Sequence, residues 1–168
     1  ALVELFTSES CSSCPPAERF LSELKHYSLT KGTNIYGLAF HVDYFDHLGW
    51  KDTFSKKQFS LRQWSYAHSV FQRSPHHGYY TPQMIVNGRI DFLGSRREHG
   101  WRIVRNALRE RPKAFLTLRK SKAAEGFPSI TACATGNVVN CSLNVAIVEN
   151  NLHRYVTDGE NKGLEIVV

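Results

Sequence analysis

The chain has 168 residues, 42% of them hydrophobic and 21% charged, with a net charge of +6 at neutral pH. That is long enough for a self-supporting core and too apolar for global disorder. The basic residues are scattered, with small groups at Arg96–Arg97 and Arg119–Lys122 that no aromatics interleave, and no apolar run nears a membrane span; neither a nucleic-acid surface nor a membrane-spanning helix is expected.

Ala1–Thr7 reads as a buried strand. A helix is predicted from Pro15, where Ala17, Phe20, Leu21 and Leu24 recur at helical spacing. Ser12 or Ser13 can cap it, the prolines sit in its first turn, and Gly32 follows its end. Asn34–Val42 is the next strand, and the polar-aromatic loop "DYFDHLGWKD" leaves it. A second helix is predicted over Ser55–Gln72, with Ser55 and Gln58 spaced as a capping box and an apolar stripe of Leu61, Trp64, Ala67, Val70 and Phe71. The Asn87–Gly88 step predicts a hairpin between strands Gln83–Val86 and Arg89–Leu93. Ser95 and Glu98 form a second capping box, opening a helix with Trp101, Val104, Ala107 and Leu108 on one face and Pro112 at its end.

The order β-α-β-α-β-β-α over residues 1–112 predicts an α/β domain. Beyond it the pattern changes. Ala114–Arg119, Ser129–Ala134, Cys141–Val148, Leu152–Val156 and Leu164–Val168 read as strands between Gly, Asn and Pro turns. Residues 113–168 are therefore expected to form a small, C-terminal antiparallel β appendage.

The four cysteines fall into two pairs, Cys11/Cys14 and Cys133/Cys141. The first lies in "TSESCSSCPPAERF", at the mouth of the first helix. It can be a redox pair, part of a metal site, or packing. Zinc needs four ligands, and no second Cys-x-x-Cys completes such a set. A thiolate at Cys11 would be favoured by the free amides and dipole of the helix, and Cys14 could resolve a mixed disulfide formed there. Cys133 and Cys141 flank "ATGNVVN"; a hairpin centred on Asn137 would bring them within reach of a structural disulfide. A disulfide there suits an oxidising compartment, so a periplasmic or secreted location is expected. The chain opens inside "ALVELF" and stops inside "LEIVV", so flanking segments are expected beyond it.

The element order, with Thr81–Pro82 opening an Asn-Gly hairpin, resembles the thioredoxin fold. More closely, "VELFTSESCSSCPP", "FHVDYFDHLGWKD", "YTPQMIVNGR" and "GENKG" together resemble a family of uncharacterised thioredoxin-like proteins, often secreted in bacteria and also present in plants. The resemblance covers nearly the whole chain. It implies that Cys11 and Cys14 are the redox pair and that Pro82 follows a cis peptide bond facing them. Ser12–Ser13 replaces the usual Gly-Pro of thioredoxin. Glu4 is the nearest counterpart of the buried strand acid that relays protons, but it is one residue further from the cysteines. A one-residue shift on a strand turns the side chain to the other face.

The loop "HVDYFDHLGW" supplies His41, Asp43, Asp46 and His47 at the strand edge where open α/β sheets carry ligands. His41 or Asp43 could transfer protons to the thiols, or histidine and cysteine could together hold Cu(I). Equally, the aspartates could bond loop amides while Trp50 packs on the second helix. His76–His77 lie in a loop close before Pro82. Tyr44, Phe45, Trp50, Tyr79 and Tyr80 could form a rim that takes a substrate peptide beside Thr81, or simply be core. The leading expectation is a thiol–disulfide oxidoreductase acting on protein or small-molecule thiols without a cofactor. The alternatives are a Cu(I)-handling protein and a redox-silent interaction module.

Overall fold

The computed structural model of the protein describes residues 1–71, 78–122 and 128–167. The chain divides into two units, Ala1–Arg109 with Val148–Val168, and Glu110–Ile147. The first contains β1 (Leu2–Thr7), α1 (Pro15–Lys31), β2 (Tyr36–His41), α2 (Lys57–Ser69), β3 (Gln83–Val86), β4 (Ile90–Leu93) and α3 (Arg97–Arg109). These make a mixed α/β fold. Its sheet runs β2-β1-β3-β4, with β1 and β2 parallel and the other neighbours antiparallel.

β1 is the strand around which both cores form. Val3 and Leu5 pack with Ala17, Phe20 and Leu24 of α1 and Trp101, Ile103 and Val104 of α3. On the other face Phe6 packs with Val42, Phe71 and Ile85. Alternation along a strand puts Glu4 on the Phe6 face. There, fully buried, its carboxylate accepts hydrogen bonds from Arg62 Nε at 2.7 Å and from the Tyr66 hydroxyl. Burial and that carboxylate push the Tyr66 hydroxyl up to about 12.

The α1 boundaries follow local chemistry. Pro15 and Pro16 occupy the first turn, and Gly32 closes the helix at φ 62°. Neither Ser12 nor Ser13 caps it; Cys14 occupies the cap position and offers no side-chain bond. Two prolines at the start lack N–H groups, so little is left for a cap to satisfy. The hairpin turn puts Asn87 at φ 51° and Gly88 at φ 65°, as a two-residue type I′ turn requires.

α2 keeps Ala67 and Phe71 of its predicted stripe and departs from the rest. Leu61, Trp64 and Val70 are about half exposed, while Gln63, Ala67 and Phe71 are buried. The buried face of this helix is fixed by polar partners. Gln63 Nε2 donates to Tyr80 O and Gln83 Oε1, both at 2.8 Å, and its Oε1 accepts from the Tyr44 hydroxyl. The expected capping box is not made either: Ser55 Oγ donates to Asp46 Oδ2, and Lys56 takes the cap position.

The β appendage expected from residue 113 is divided. Residues 148–168 group with the first unit, where β7 (His153–Tyr155) and β8 (Glu165–Val167) form a hairpin. The second unit holds β5 (Ala114–Lys122) paired with β6 (Pro128–Gly136), from Ala114↔Gly136 to Lys122↔Pro128. That register corrects the expected Cys133–Cys141 disulfide. Cys133 stands opposite Thr117, and Cys141 lies past the end of β6, where no strand forms over 141–148. Both thiols are free and exposed.

Candidate functional site

β1 ends at Thr7 and the chain turns through residues 8–13 into α1. The turn is tight: Cys11 N–H donates to Ser8 O and Cys14 N–H to Cys11 O, both at 3.1 Å. Cys11 and Cys14 form a disulfide with Cα atoms 5.4 Å apart. Cys14 is fully buried and Cys11 is 2% exposed. The hairpin strands bring a second segment to the same place. Thr81 Oγ1 donates to Cys11 Sγ at 3.3 Å, and the Thr81–Pro82 peptide is cis. Ser13 Oγ lies 3.5 Å from the same sulfur. Cys11, Cys14, Thr81 and Pro82 thus belong to one constellation.

Next to the cysteine loop lies a buried group of titratable side chains. His41, the last residue of β2, pairs through Nδ1 with Asp52 Oδ2 at 2.6 Å. Asp52 also accepts the N–H groups of Glu9 and Phe54 at 2.8 Å each. Burial raises the Asp52 carboxyl, but His41 and these amides outweigh it and hold it below the ordinary value. Glu9 Oε2 accepts from Trp50 Nε1 at 2.7 Å. Glu18, one turn after Cys14 on α1, accepts from Thr7 Oγ1 at 2.7 Å. Burial pushes both Glu9 and Glu18 up, and both feel the charges of His41 and Asp52. His41 Nε2 and Glu9 Oε1 are buried with no hydrogen-bond partner.

A further wall comes from the turn joining β7 and β8. Asn161, 2% exposed, donates through Nδ2 to Glu9 O at 2.7 Å and to Cys11 O at 3.0 Å. Beside it the Glu160 carboxylate accepts the Ser12 N–H at 3.1 Å.

The remaining predicted residues are placed differently. Asp43 accepts a bond from Ser60 Oγ, while its own N–H donates to that oxygen, so it fastens its loop to α2. Asp46 accepts from Asp52 N–H and Ser55 Oγ. Glu4 is tied to Arg62 and Tyr66 on the α2 side of the sheet; with Thr7 facing Glu18, alternation along β1 turns Glu4 away from Glu18. Trp50 bonds to Glu9 and carries the Arg154 guanidinium over its ring at 5.4 Å. Tyr44 is held by Gln63 and flanked by Tyr79 and Phe45. The Tyr80 hydroxyl donates to Asp91 Oδ2, and burial pushes that hydroxyl up. His76 and His77 lie outside the described residues. Among the described residues, no group of three or more His, Cys, Asp and Glu side chains is arranged to hold a metal ion.

Sequence reasoning missed Glu9, Glu18, Asp52, Glu160 and Asn161. Glu18 carried a usable signal, since a residue four positions after Cys14 on a helix shares its face. Glu160 and Asn161 stand in the quoted "GENKG" stretch, but nothing in it points to Cys11, 150 residues away.

Residues 2–168 match the family described as "Protein of unknown function (DUF1223)". No curated protein matches the chain. Among solved structures, the chain is similar to a protein from Agrobacterium tumefaciens determined by X-ray crystallography, a structural-genomics target, with 33% identity and a TM-score of 0.58. The match covers 74% of this chain and 52% of that one, so the chain spans about half of that structure's length.

Proposed function

The chain belongs to this family of unknown function, and on that premise we propose that it is a thiol–disulfide oxidoreductase with a thioredoxin-like fold. The observation that carries the reading is the contact of Thr81 Oγ1 with Cys11 Sγ, made across 70 residues of sequence, at a disulfide seated on a helix N-terminus. In the reduced protein the Cys11 thiolate attacks a substrate disulfide and forms a mixed disulfide, releasing one substrate thiolate. Cys14 then attacks Cys11 Sγ, restoring the intramolecular disulfide and releasing the second substrate thiolate. Thr81 orients the reacting sulfur. In this reading Glu18, one turn beyond Cys14 and with its carboxyl raised by burial, takes the proton that Cys14 gives up. The substrate is a protein or small-molecule disulfide in this direction and the corresponding thiols in the reverse one.

Replacement of Cys11 by serine tests this directly. The wild type is expected to reduce or oxidise a model disulfide, and Cys11→Ser to fall to the background of the buffer. Equal turnover by the two proteins overturns the proposal. One observation favours a second reading, a redox-silent module: Cys11 is only 2% exposed, so an attacking sulfur has to displace part of the surrounding rim. That reading predicts a disulfide that survives millimolar dithiothreitol in the folded protein.

A further inference from the structure

The turn between β7 and β8 lies far from the cysteines in sequence and reaches them with two consecutive side chains. Asn161 uses both hydrogens of its amide on the carbonyls of Glu9 and Cys11. It is 2% exposed, so those carbonyls would lose a partner without gaining water if it were removed. Glu160 occupies the Ser12 N–H. That amide is one of the donors in the turn that leads into α1, the region where a thiolate at Cys11 would draw its stabilisation. A carboxylate on this amide competes with a thiolate for the same positive end. The hydrogen bond from Ser12 holds the Glu160 carboxyl below its ordinary value, so it is ionised when the thiol titrates.

We propose that Glu160 and Asn161 are positioning residues of the redox site. Asn161 clamps the loop in its disulfide geometry, and the Glu160 charge disfavours the Cys11 thiolate, so that together they hold the pair toward the oxidised state. The inference rests on the redox reading above. Reduction of the pair adds two electrons and two protons, supplied by a dithiol or by glutathione. It leaves Cys11 as thiol or thiolate according to pH. Removing the Glu160 charge therefore lowers the pH at which Cys11 ionises and moves the exchange equilibrium toward the dithiol. The turn gates neither electrons nor protons itself; it acts through the backbone and the field at Cys11.

The test uses the full chain, wild type and Glu160→Gln, equilibrated in glutathione buffers of varied ratio. The pH dependence of iodoacetamide alkylation of Cys11 is measured in parallel on the reduced proteins. Glu160→Gln is expected to shift the equilibrium toward the dithiol by about two- to fivefold at low salt, the scale of one charge at a helix terminus. Its alkylation midpoint is expected at lower pH, with the difference shrinking in high salt. Glu160→Asp should restore wild-type behaviour. Asn161→Ala, which leaves the Glu9 and Cys11 carbonyls without their donor and adds no charge, should shift the equilibrium the same way if it folds; Glu160→Gln decides the matter alone if it does not. A wild type that exchanges, beside a Glu160→Gln protein identical to it in both measurements, overturns this inference and leaves the redox reading intact. A wild type that never exchanges removes both.

Discussion

The two cysteine pairs of this chain differ in every respect that matters to sulfur chemistry. Cys11 and Cys14 are joined, buried and held by a turn whose amides and carbonyls are bonded. Cys133 and Cys141 are free and exposed. Spacing alone favours neither pair. The first is brought together by local geometry, because the turn into α1 sets a Cα separation of 5.4 Å whatever the rest of the sheet does. The second needed a particular strand partner, and β6 takes β5 instead. A cysteine pair within one turn is more predictable than a pair across a hairpin, since the latter depends on which strands compete.

Labelling tests that contrast first and has the largest expected effect. The folded, unreduced protein should take up an alkylating reagent at Cys133 and Cys141 only, and at all four cysteines after reduction. Protection of Cys133 and Cys141 before reduction would erase the contrast. In the same assay, the double variant Cys133→Ser/Cys141→Ser should keep the exchange activity that Cys11→Ser loses.

Asp52→Ala asks what supports the first pair. It leaves His41 Nδ1 and the amides of Glu9 and Phe54 without an acceptor. Urea unfolding should show a loss of about 3 kcal/mol or more, since three buried donors are stranded at about 1–3 kcal/mol each. Because the Asp52 carboxyl is held below its ordinary value, its contribution is present above the unfolded-state value. It is lost as pH falls through the folded one, so wild type and variant should converge in acid.

Gly100→Ala probes the core under α1 with a smaller effect. A Cβ there would stand 2.4 Å from Phe20 Cε1 and 2.8 Å from Phe92 Cε2. Overpacking of this kind costs about 1–3 kcal/mol, read as a lowered Tm. A variant as stable as wild type would show a looser core than these contacts describe.

Glu18→Gln has the smallest effect and the opposite sign. Burial raises the Glu18 carboxyl, so the folded state binds its proton more tightly than the unfolded state. Stability is therefore lost as pH rises through the gap between the two values. The glutamine variant should be more stable than wild type at neutral pH, with the gain vanishing in acid. It should also slow the exchange step that deprotonates Cys14. A variant less stable than wild type at every pH would contradict the placement of this carboxyl.

Sequence legibility tracked the range of the interaction. The start of α1 at Pro15, its end before Gly32 and the Asn87–Gly88 turn are set by residues next to one another, and they were readable. The buried face of α2 was readable only in part: Ala67 and Phe71 are buried as their spacing predicts, but Gln63 takes the place of the other apolar residues and is satisfied by Tyr80, Gln83 and Tyr44. Half of the site was equally hidden. His41 was visible in its loop, but its partner Asp52 stood among several acids with nothing to single it out. The return of residues 148–168 to the first unit rests on hydrogen bonds spanning about 150 residues. No pattern within a window could show that.

The carboxylate of Glu4 in the central strand works as a key. Only one seating of α2 offers it both a guanidinium and a hydroxyl, from Arg62 and Tyr66 one turn apart. A helix slipped along the sheet would strand a naked anion in a dry layer, at a cost of several kcal/mol. Greasy contacts would tolerate such sliding; this lock does not. The same seating positions Gln63 to hold the Tyr80 carbonyl, one residue before the threonine that touches sulfur, so the registration of a distant helix reaches the reactive atom through a single amide.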